Sequence, residues 1–204
     1  MKYSIIIPAH NAEDRISNAL ESIKEQSYTD YELIVVCDSC NDRTAEVARK
    51  TGAVVDEVEY GNDGLSRSRG LDLAQGDWVL FLDDDDWWLH EFVLELIDNE
   101  ITDDIDILAC SFIWSGMRYA TPRSNGGRLY PSVWNKCWRR SFIGSTRFPN
   151  VYPDSDACFH VEMMAKNPRV KEVDIPIYFY QYLRPGSISE RMGRSVAAAN
   201  AYWS

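Results

Sequence analysis

Trp78-Val79-Leu80-Phe81-Leu82-Asp83-Asp84-Asp85-Asp86 is the stretch on which the fold turns. Five apolar residues without alternation read as a strand buried on both faces. The strand then runs straight into four carboxylates, which repel one another and need a cation or basic partners to stay ionised. Upstream, the same arrangement of apolar run and polar end recurs. Tyr3 to Pro8 reads as a first buried strand, Leu33 to Val36 as a second, and Val54 to Val58 as a third, partly alternating. Helical spacing fills the gaps. Ala12, Ile16, Ala19, Leu20 and Ile23 share one helical face, and Asp42 is placed to cap a helix running to about Lys50 and closed by Gly52. Leu65 to Ala74 reads as a short helix stopping near Gly76, and Trp88, Phe92, Val93, Leu96 and Ile97 mark a helix after the aspartates. Apolar strands separated by helices imply an α/β fold with a mostly parallel central sheet flanked by helices.

The rhythm changes after residue 104. Ile105 to Trp114 reads as a strand, 116–130 as a loop, and Ser132 to Arg140 as a mixed aromatic and basic segment. Ser155 to Lys166 reads as a helix, and Val170 to Tyr182 as one or two strands broken by Pro176. The expectation is a single domain over 1–204, with a nucleotide-binding half over about 1–104 and a more irregular half over about 105–204.

The 204 residues are 45% hydrophobic and 26% charged, a globular composition that rules out disorder and coiled coil. A formal net charge of −11 makes nucleic acid and anionic membrane poor general partners. No apolar run approaches the roughly 20 residues of a membrane helix. The start has three consecutive aliphatics before Pro8, too few for a signal peptide. Five cysteines in no framework spacing point to a reducing cytoplasm. Cys37-Asp38-Ser39-Cys40 has the spacing of a redox motif, but two small residues in a strand-to-helix turn account for it better.

Pro8-Ala9-His10-Asn11, Asp38 and Asp83 to Asp86 all follow strands. In an open parallel sheet those ends face the ligand crevice. Each alone reads as turn or cap chemistry, with Asp85 or Asp86 suited to cap the next helix. Together they suggest a strand-end D-x-D holding a magnesium or manganese diphosphate, because hard cations take oxygen ligands. An EF-hand loop, a P-loop and a dinucleotide fingerprint are all missing.

From about Tyr3 to Ser189 the chain resembles the family-2 glycosyltransferases of the GT-A fold. Ser4-Ile5-Ile6-Ile7-Pro8-Ala9-His10-Asn11 is similar to that family's first strand and nucleotide loop, with His10 where tyrosine is usual. Val35-Val36-Cys37-Asp38-Ser39-Cys40-Asn41-Asp42 resembles V-V-D-D-G-S-x-D, with Cys37 replacing the first aspartate. Gly64-Leu65-Ser66-Arg67-Ser68-Arg69-Gly70 resembles its G-L-S to R-N-x-G segment, with Ser68 for asparagine. Phe81-Leu82-Asp83-Asp84-Asp85-Asp86 corresponds to its F-L-D-x-D-D metal motif. Trp134-Asn135-Lys136, Arg147-Phe148-Pro149, Asp156-Ala157-Cys158-Phe159 and Arg184-Pro185-Gly186-Ser187-Ile188-Ser189 resemble later segments, with Ser155 where glutamate is usual.

The resemblance implies an inverting, metal-dependent transferase moving a sugar from a nucleoside diphosphate, a UDP-sugar, to a hydroxyl acceptor in glycan or polysaccharide synthesis. It puts Mn2+ or Mg2+ on Asp85 with Asp83, and the ribose on Asp83 or Asp84. It puts the base against Pro8, Ala9, His10, Asn11 and Asp38, and the donor also against Arg67 and Arg184. Asp156 is the implied catalytic base, with Asp154 as the alternative. A glycan or lipid-linked acceptor is expected, and through it contact with the inner face of a membrane. Trp87 or Trp88 is open to either core packing or sugar stacking. Relatives continue past the point where this chain stops, so a minimal or truncated transferase is expected. The substitutions at Cys37, Ser68 and Ser155 keep a catalytically inactive nucleotide-sugar binder in view, and the C-x-x-C a redox protein.

Overall fold

Strand β1 (Tyr3–Ala9) is buried along its whole length. Strands β2 (Tyr31–Asp38) and β4 (Trp78–Phe81) lie parallel on either side of it, and β3 (Val54–Val58) lies parallel beyond β2. Helices α1 (Ile16–Lys24), α2 (Thr44–Arg49) and α3 (Asp63–Leu73) connect them. The computed structural model describes residues 1–115, 118–123, 127–182, 184 and 187.

Alternate residues of β1 enter two cores. Tyr3, Ile5 and Ile7 pack with Ile16, Leu20 and Ile23 of α1 and Ala45 and Ala48 of α2, while Ile6 packs with Leu71 of α3. Both faces of the sheet are therefore covered, which is why its strands lack polar alternation. Each fully buried aliphatic side chain contributes about 1.5–3 kcal/mol.

Beyond β4 the sheet becomes mixed. Its order is β3-β2-β1-β4-β8-β6-β9-β5, where β5 is Trp87–Trp88, β6 Ile107–Trp114, β8 Lys136–Arg139 and β9 Val170–Tyr180. Strand β7 (Arg118–Ala120) pairs on β6. Strand β8 runs antiparallel to β4 and β6, while β6 and β9 are parallel. Helices α4 (Val93–Glu100), α5 (Arg140–Ile143) and α6 (Ser155–Ala165) complete the described elements. None of the helices among the described residues is long and apolar enough to cross a membrane.

Several elements differ from the sequence expectation. Trp88 belongs to no helix: Trp87 and Trp88 form β5 at the far edge, antiparallel to β9, and Trp87 stacks on Phe179 at 4.3 Å. Phe92 is half exposed, and the helix starts only at Val93. The mixed segment 132–140 contains β8, a central strand, because the ammonium of Lys136 is buried against oxygen partners and so does not break the pattern. The 116–130 stretch contains β7 and an Arg123–Leu129 bridge. Pro176 does not break β9. It sits opposite Ser111 at a register shift, where a residue without an N–H can be accommodated. Asp42 precedes α2 by one residue more than expected, yet its carboxylate accepts from the Thr44 and Glu13 N–H groups. Helix α3 starts two residues early because Asn62 caps it, its side chain accepting from Leu65 N at 3.0 Å.

Gly76 closes the joint between β4 and β1. A Cβ there would lie 2.7 Å from Ser4 N and from Tyr3 C, and Gly76 N donates to Ser4 Oγ at 2.8 Å. Backbone cannot yield as a side chain does, so Gly76→Ala should lower the unfolding free energy by about 1–3 kcal/mol. Urea denaturation measures this, and an unchanged midpoint would contradict the tight joint.

Candidate active site

Every residue assigned to the donor, the metal or the base lines one cleft of about 800 Å³: Pro8, Ala9, His10, Asn11, Asp38, Arg67, Asp83, Asp84, Asp85, Asp154, Asp156 and Arg184, whereas Trp87 and Trp88 do not. Of the segment from Arg184 to Ser189, only Arg184 and Ser187 lie within the described residues.

The four aspartates after β4 are each given a different partner. Asp83 Oδ1 accepts from Arg67 Nη2 at 2.6 Å. Asp84 takes a two-point contact from Arg15, Nε to Oδ1 at 3.1 Å and Nη2 to Oδ2 at 2.9 Å, and a third from His10 N. Asp85 Oδ2 accepts from Arg184 Nε at 2.8 Å. Asp86 is fully buried, away from the cleft, and accepts from the Tyr178 hydroxyl at 2.6 Å and from Gln181 N at 2.7 Å. Asp86 therefore caps no helix. Burial drives its pKa well above the carboxylate range, with Asp85 and Asp83 adding to the rise. Burial also lifts Asp84 to about 6, against the pull of Arg15.

Arg67 is the hub. Its side chain is 5% exposed, donates to Asp63 and Asp83, and has Nη1 3.3 Å from Asp156 Oδ1. That last contact is a charge attraction without hydrogen-bond alignment, since Asp156 Oδ1, Arg67 Nε and Asp63 Oδ1 are buried without a hydrogen-bond partner. Three such atoms in one cluster are uncommon and mark a site arranged for more than its own folding. Burial raises Asp156 to about 6 even with Arg67 beside it. Asp154 lines the same cleft, immediately before α6.

Asp38 ends β2 with its carboxylate fully engaged. Oδ1 accepts from Ser39 Oγ, Tyr60 N and Gly61 N, and Oδ2 from Asn62 N and Ser66 Oγ, all at 2.7–3.0 Å. Burial works to raise its pKa, but these donors lower it on balance. A carboxylate offers about four lone-pair sites, so accepting from a nucleobase requires one of these donors to give way. His10 Nδ1 donates to Asp38 O at 2.7 Å, leaving Nε2 to accept from Asn11 Nδ2 at 3.2 Å. That holds an exposed imidazole at the end of β1, where Asn11 turns the chain at φ 45°.

The three substituted positions have packing reasons. Ser155 Oγ donates to Asp63 Oδ2 at 3.1 Å, and a Cβ on Gly64 would come within 2.7 Å of Ser155 Cβ, so α3 and α6 touch at this pair. Ser68 Oγ accepts from Phe148 N at 2.9 Å. Cys37 is buried at the end of β2, and Cys40, a free thiol like Cys37, donates to Ala9 O. Asn135 and Lys136 lie behind the cleft wall. Lys136 Nζ donates to Tyr130 O, Ser132 O and Asn135 Oδ1 at 2.6–2.8 Å, and burial pushes its pKa down to about 7.

Arg15 and Tyr178 escaped the sequence reading because their aspartate partners are distant in the chain, and Asp63 because its role depends on Arg67 being drawn to Asp83 and Asp156. A further wall of the cleft did too: Phe112, Trp114, Tyr130, Trp134, Tyr180 and Tyr182. Its signal was legible, as aromatics at every second position, 112 and 114 along β6, 178 and 180 along β9, and 182 just beyond it.

Seven carboxylates and three guanidinium groups line the cleft among the described residues. That excess favours cations and disfavours a bare anion. The donor set at Asp83 and Asp85 is all oxygen, Arg67 engaging one oxygen of Asp83 and Arg184 one of Asp85, so the pair fits a hard divalent cation.

The family model for glycosyl transferase family 2 matches residues 4–164. An uncharacterized glycosyltransferase of Bacillus subtilis, EpsJ, is 26% identical over 92% of this chain and 62% of its own length. The crystal structure of Staphylococcus aureus TarS 1-349 in complex with UDP-GlcNAc superposes with a TM-score of 0.82, at 24% identity, over 93% of this chain and 61% of that one. Glucosyl-3-phosphoglycerate synthase from Mycobacterium tuberculosis, in complex with Mn2+, UDP and phosphoglyceric acid, gives 0.70 at 21% identity, over 94% of this chain and 73% of that one. The two structural likenesses concern the fold, and this chain spans about three fifths of the Bacillus protein's length.

Arg67→Met leaves Asp63, Asp83 and Asp156 without their shared cation, which should cost about 3–5 kcal/mol at pH 8. Asp156 has a folded pKa of about 6 against an ordinary 3.8, so its burial costs stability above pH 6 and that cost fades as the pH falls towards 4. Removing Arg67 enlarges the high-pH cost. The deficit in chemical denaturation should therefore be larger at pH 8 than at pH 5, and an equal deficit would argue against the uncompensated carboxylates.

Proposed function

Because the chain belongs to glycosyl transferase family 2, we propose that it moves a sugar from a nucleoside diphosphate donor, a UDP-sugar, to a hydroxyl acceptor in glycan or polysaccharide synthesis, with inversion at the anomeric carbon. One observation carries the reading. Two acidic groups of different character share one cleft: the Asp83–Asp85 run after β4, and Asp156 on α6, raised to about 6 and reached from the same guanidinium.

In this reading the donor's base lies by Pro8 and Ala9 with its ring on the exposed His10 imidazole, and Asn11 shapes the turn. Asp38 acts through the loop 60–62 that it clasps. The ribose falls to Asp83 or Asp84. A diphosphate entering a cleft with an excess of carboxylates needs a counter-cation, so Asp85 and Asp83 are assigned to Mn2+ or Mg2+. When bound, that ion supplies Lewis-acid stabilisation of the charge on the leaving diphosphate. Arg184 and Arg67 are assigned to the phosphates, whose oxygens a guanidinium matches bidentately, and to reach them each must give up a carboxylate it holds here.

Asp156 takes the proton of the acceptor hydroxyl as that oxygen attacks the anomeric carbon from the face opposite the diphosphate. The new carbon–oxygen bond forms as the bond to phosphate breaks, and its electron pair leaves on the diphosphate. Asp154 is the alternative base; Asp156 is preferred because burial raises its proton affinity, as a base working near neutral pH requires.

Incubation with UDP-sugars, Mn2+ or Mg2+ and acceptor should release UDP; release of pyrophosphate, or none, would overturn the reading. Asp156→Asn should bind UDP with Mn2+ normally and turn over about 10²–10⁴-fold more slowly. Wild-type kcat/KM should fall below about pH 6, where Asp156 takes up its proton. Near-normal turnover in the variant would transfer the role to Asp154. Asp85→Ala should lose the Mn2+-dependent part of UDP affinity by calorimetry, and full affinity would remove the metal assignment.

A further inference from the structure

We propose that the aromatic wall of the cleft is the acceptor subsite and that it takes a neutral pyranose, stacked by its C–H face on Trp114 with Tyr180 standing edge-on beside it. The proposal rests on the transferase reading above and adds to it the chemical class of the acceptor.

Register alignment builds the wall. Strands β6 and β9 are parallel, with Phe112 opposite Tyr178 and Trp114 opposite Tyr180, so these four rings share one face of the sheet. The deeper rings are fixed. Phe112 and Tyr178 are essentially inaccessible, and Trp134 stacks on Tyr178 at 4.4 Å and on Tyr180 at 5.2 Å. Towards the mouth, Trp114 meets Tyr180 and Tyr182 edge-on at 6.1 and 5.5 Å, and all three are only half buried. Rigid aromatics behind and partly open aromatics in front make a preformed platform, which loses little entropy on binding. Lys136 adds to the rigidity by holding the carbonyls of Tyr130 and Ser132 beside it.

Its position suits an acceptor. The Tyr178 hydroxyl accepts from Asp83 N at 3.1 Å and donates to Asp86 at 2.6 Å, so the wall begins one hydrogen bond from the aspartate run. Asp154 and Asp156 line the same cleft. A ring on the wall therefore shares one cleft with the proposed metal acids and the proposed base. The chemistry narrows the class further. Ser132, Gln181 and Arg184 line the cleft among the rings, matching a ligand with one apolar face and a hydroxyl edge better than an acyl chain. The carboxylate excess of the cleft disfavours an anionic acceptor.

The test uses the full chain with UDP and Mn2+ and a panel of methyl glycosides and disaccharides of neutral gluco-, galacto-, manno- and N-acetylglucosamine configuration. Glucuronate and octanoate serve as controls, and saturation-transfer NMR reads binding. At least one neutral pyranoside should receive saturation on its ring C–H protons. Trp114→Ala and Tyr180→Ala should each weaken it by about tenfold, with Tyr182→Ala as a milder variant and UDP affinity within twofold of wild type as the check on folding. The proposal is overturned if no neutral pyranoside binds, if binding is equal in the wall variants, or if octanoate or glucuronate binds in its place. Failure of the wild type to bind UDP overturns the donor reading instead, and the same panel without nucleotide still decides the wall.

Discussion

Arg67 and the three carboxylates around it are the interaction on which the cleft depends. The guanidinium comes from α3, Asp63 from the first residue of the same helix, Asp83 from the end of β4, and Asp156 from the first turn of α6. Without a shared cation, three acids drawn from three elements could not sit together in so little water, because desolvation and mutual repulsion would both oppose it. With it, the loop after β4 and the start of α6 are held to one wall of α3. The arrangement remains incompletely satisfied. Orphaned atoms on Asp63, Arg67 and Asp156 leave the Arg67–Asp156 contact held by charge, while Asp63 and Asp83 are hydrogen-bonded to the guanidinium. Such a cluster can exchange partners when a ligand of different charge arrives, which a fully bonded network resists.

The small residues of α3 make that arrangement possible. Gly70 lies where a Cβ would be 2.3 Å from an Ile6 methyl, and Gly64 where one would be 2.7 Å from Ser155. Helix α3 is thus pressed against β1 on one side and α6 on the other, which brings Arg67 within reach of both. The second half of the sheet has a comparable anchor in Lys136. Its ammonium is buried on β8, between β4 and β6, and its three oxygen partners shape the segment 130–135 that lines the cleft. Arg67 and Lys136 thus each anchor residues that line one cleft.

Acidity gains a more specific sense in this structure. The four aspartates after β4 are divided among three arginines, a tyrosine and two backbone N–H groups, so the repulsion expected from the run is met largely by the chain itself. A net excess of acid nonetheless remains in the cleft. The two facts are compatible: the arginines stabilise the fold of the loop, and the remaining negative potential is what a cation would answer.

The sequence alone determined the parallel half. Uninterrupted apolar runs are a local signal, because a strand buried on both faces must be apolar at every position. The polar residues after those runs followed from the same logic, and all of those taken as site residues line the cleft. The family pattern was legible as well, through ordered short motifs. Tertiary structure alone decided the rest. Strand β8 hid behind a buried lysine, β5 behind the helical spacing of Trp88 with Phe92 and the residues after it, and the partners of each aspartate behind separations of up to 99 residues. Asp38 shows the reason most clearly. Its place after β2 could be read locally, but its five donors come largely from a loop some twenty residues on. Periodicity records which face a residue turns inward. Which charge meets which is set by the packing of elements far apart in the chain, and no local pattern encodes it.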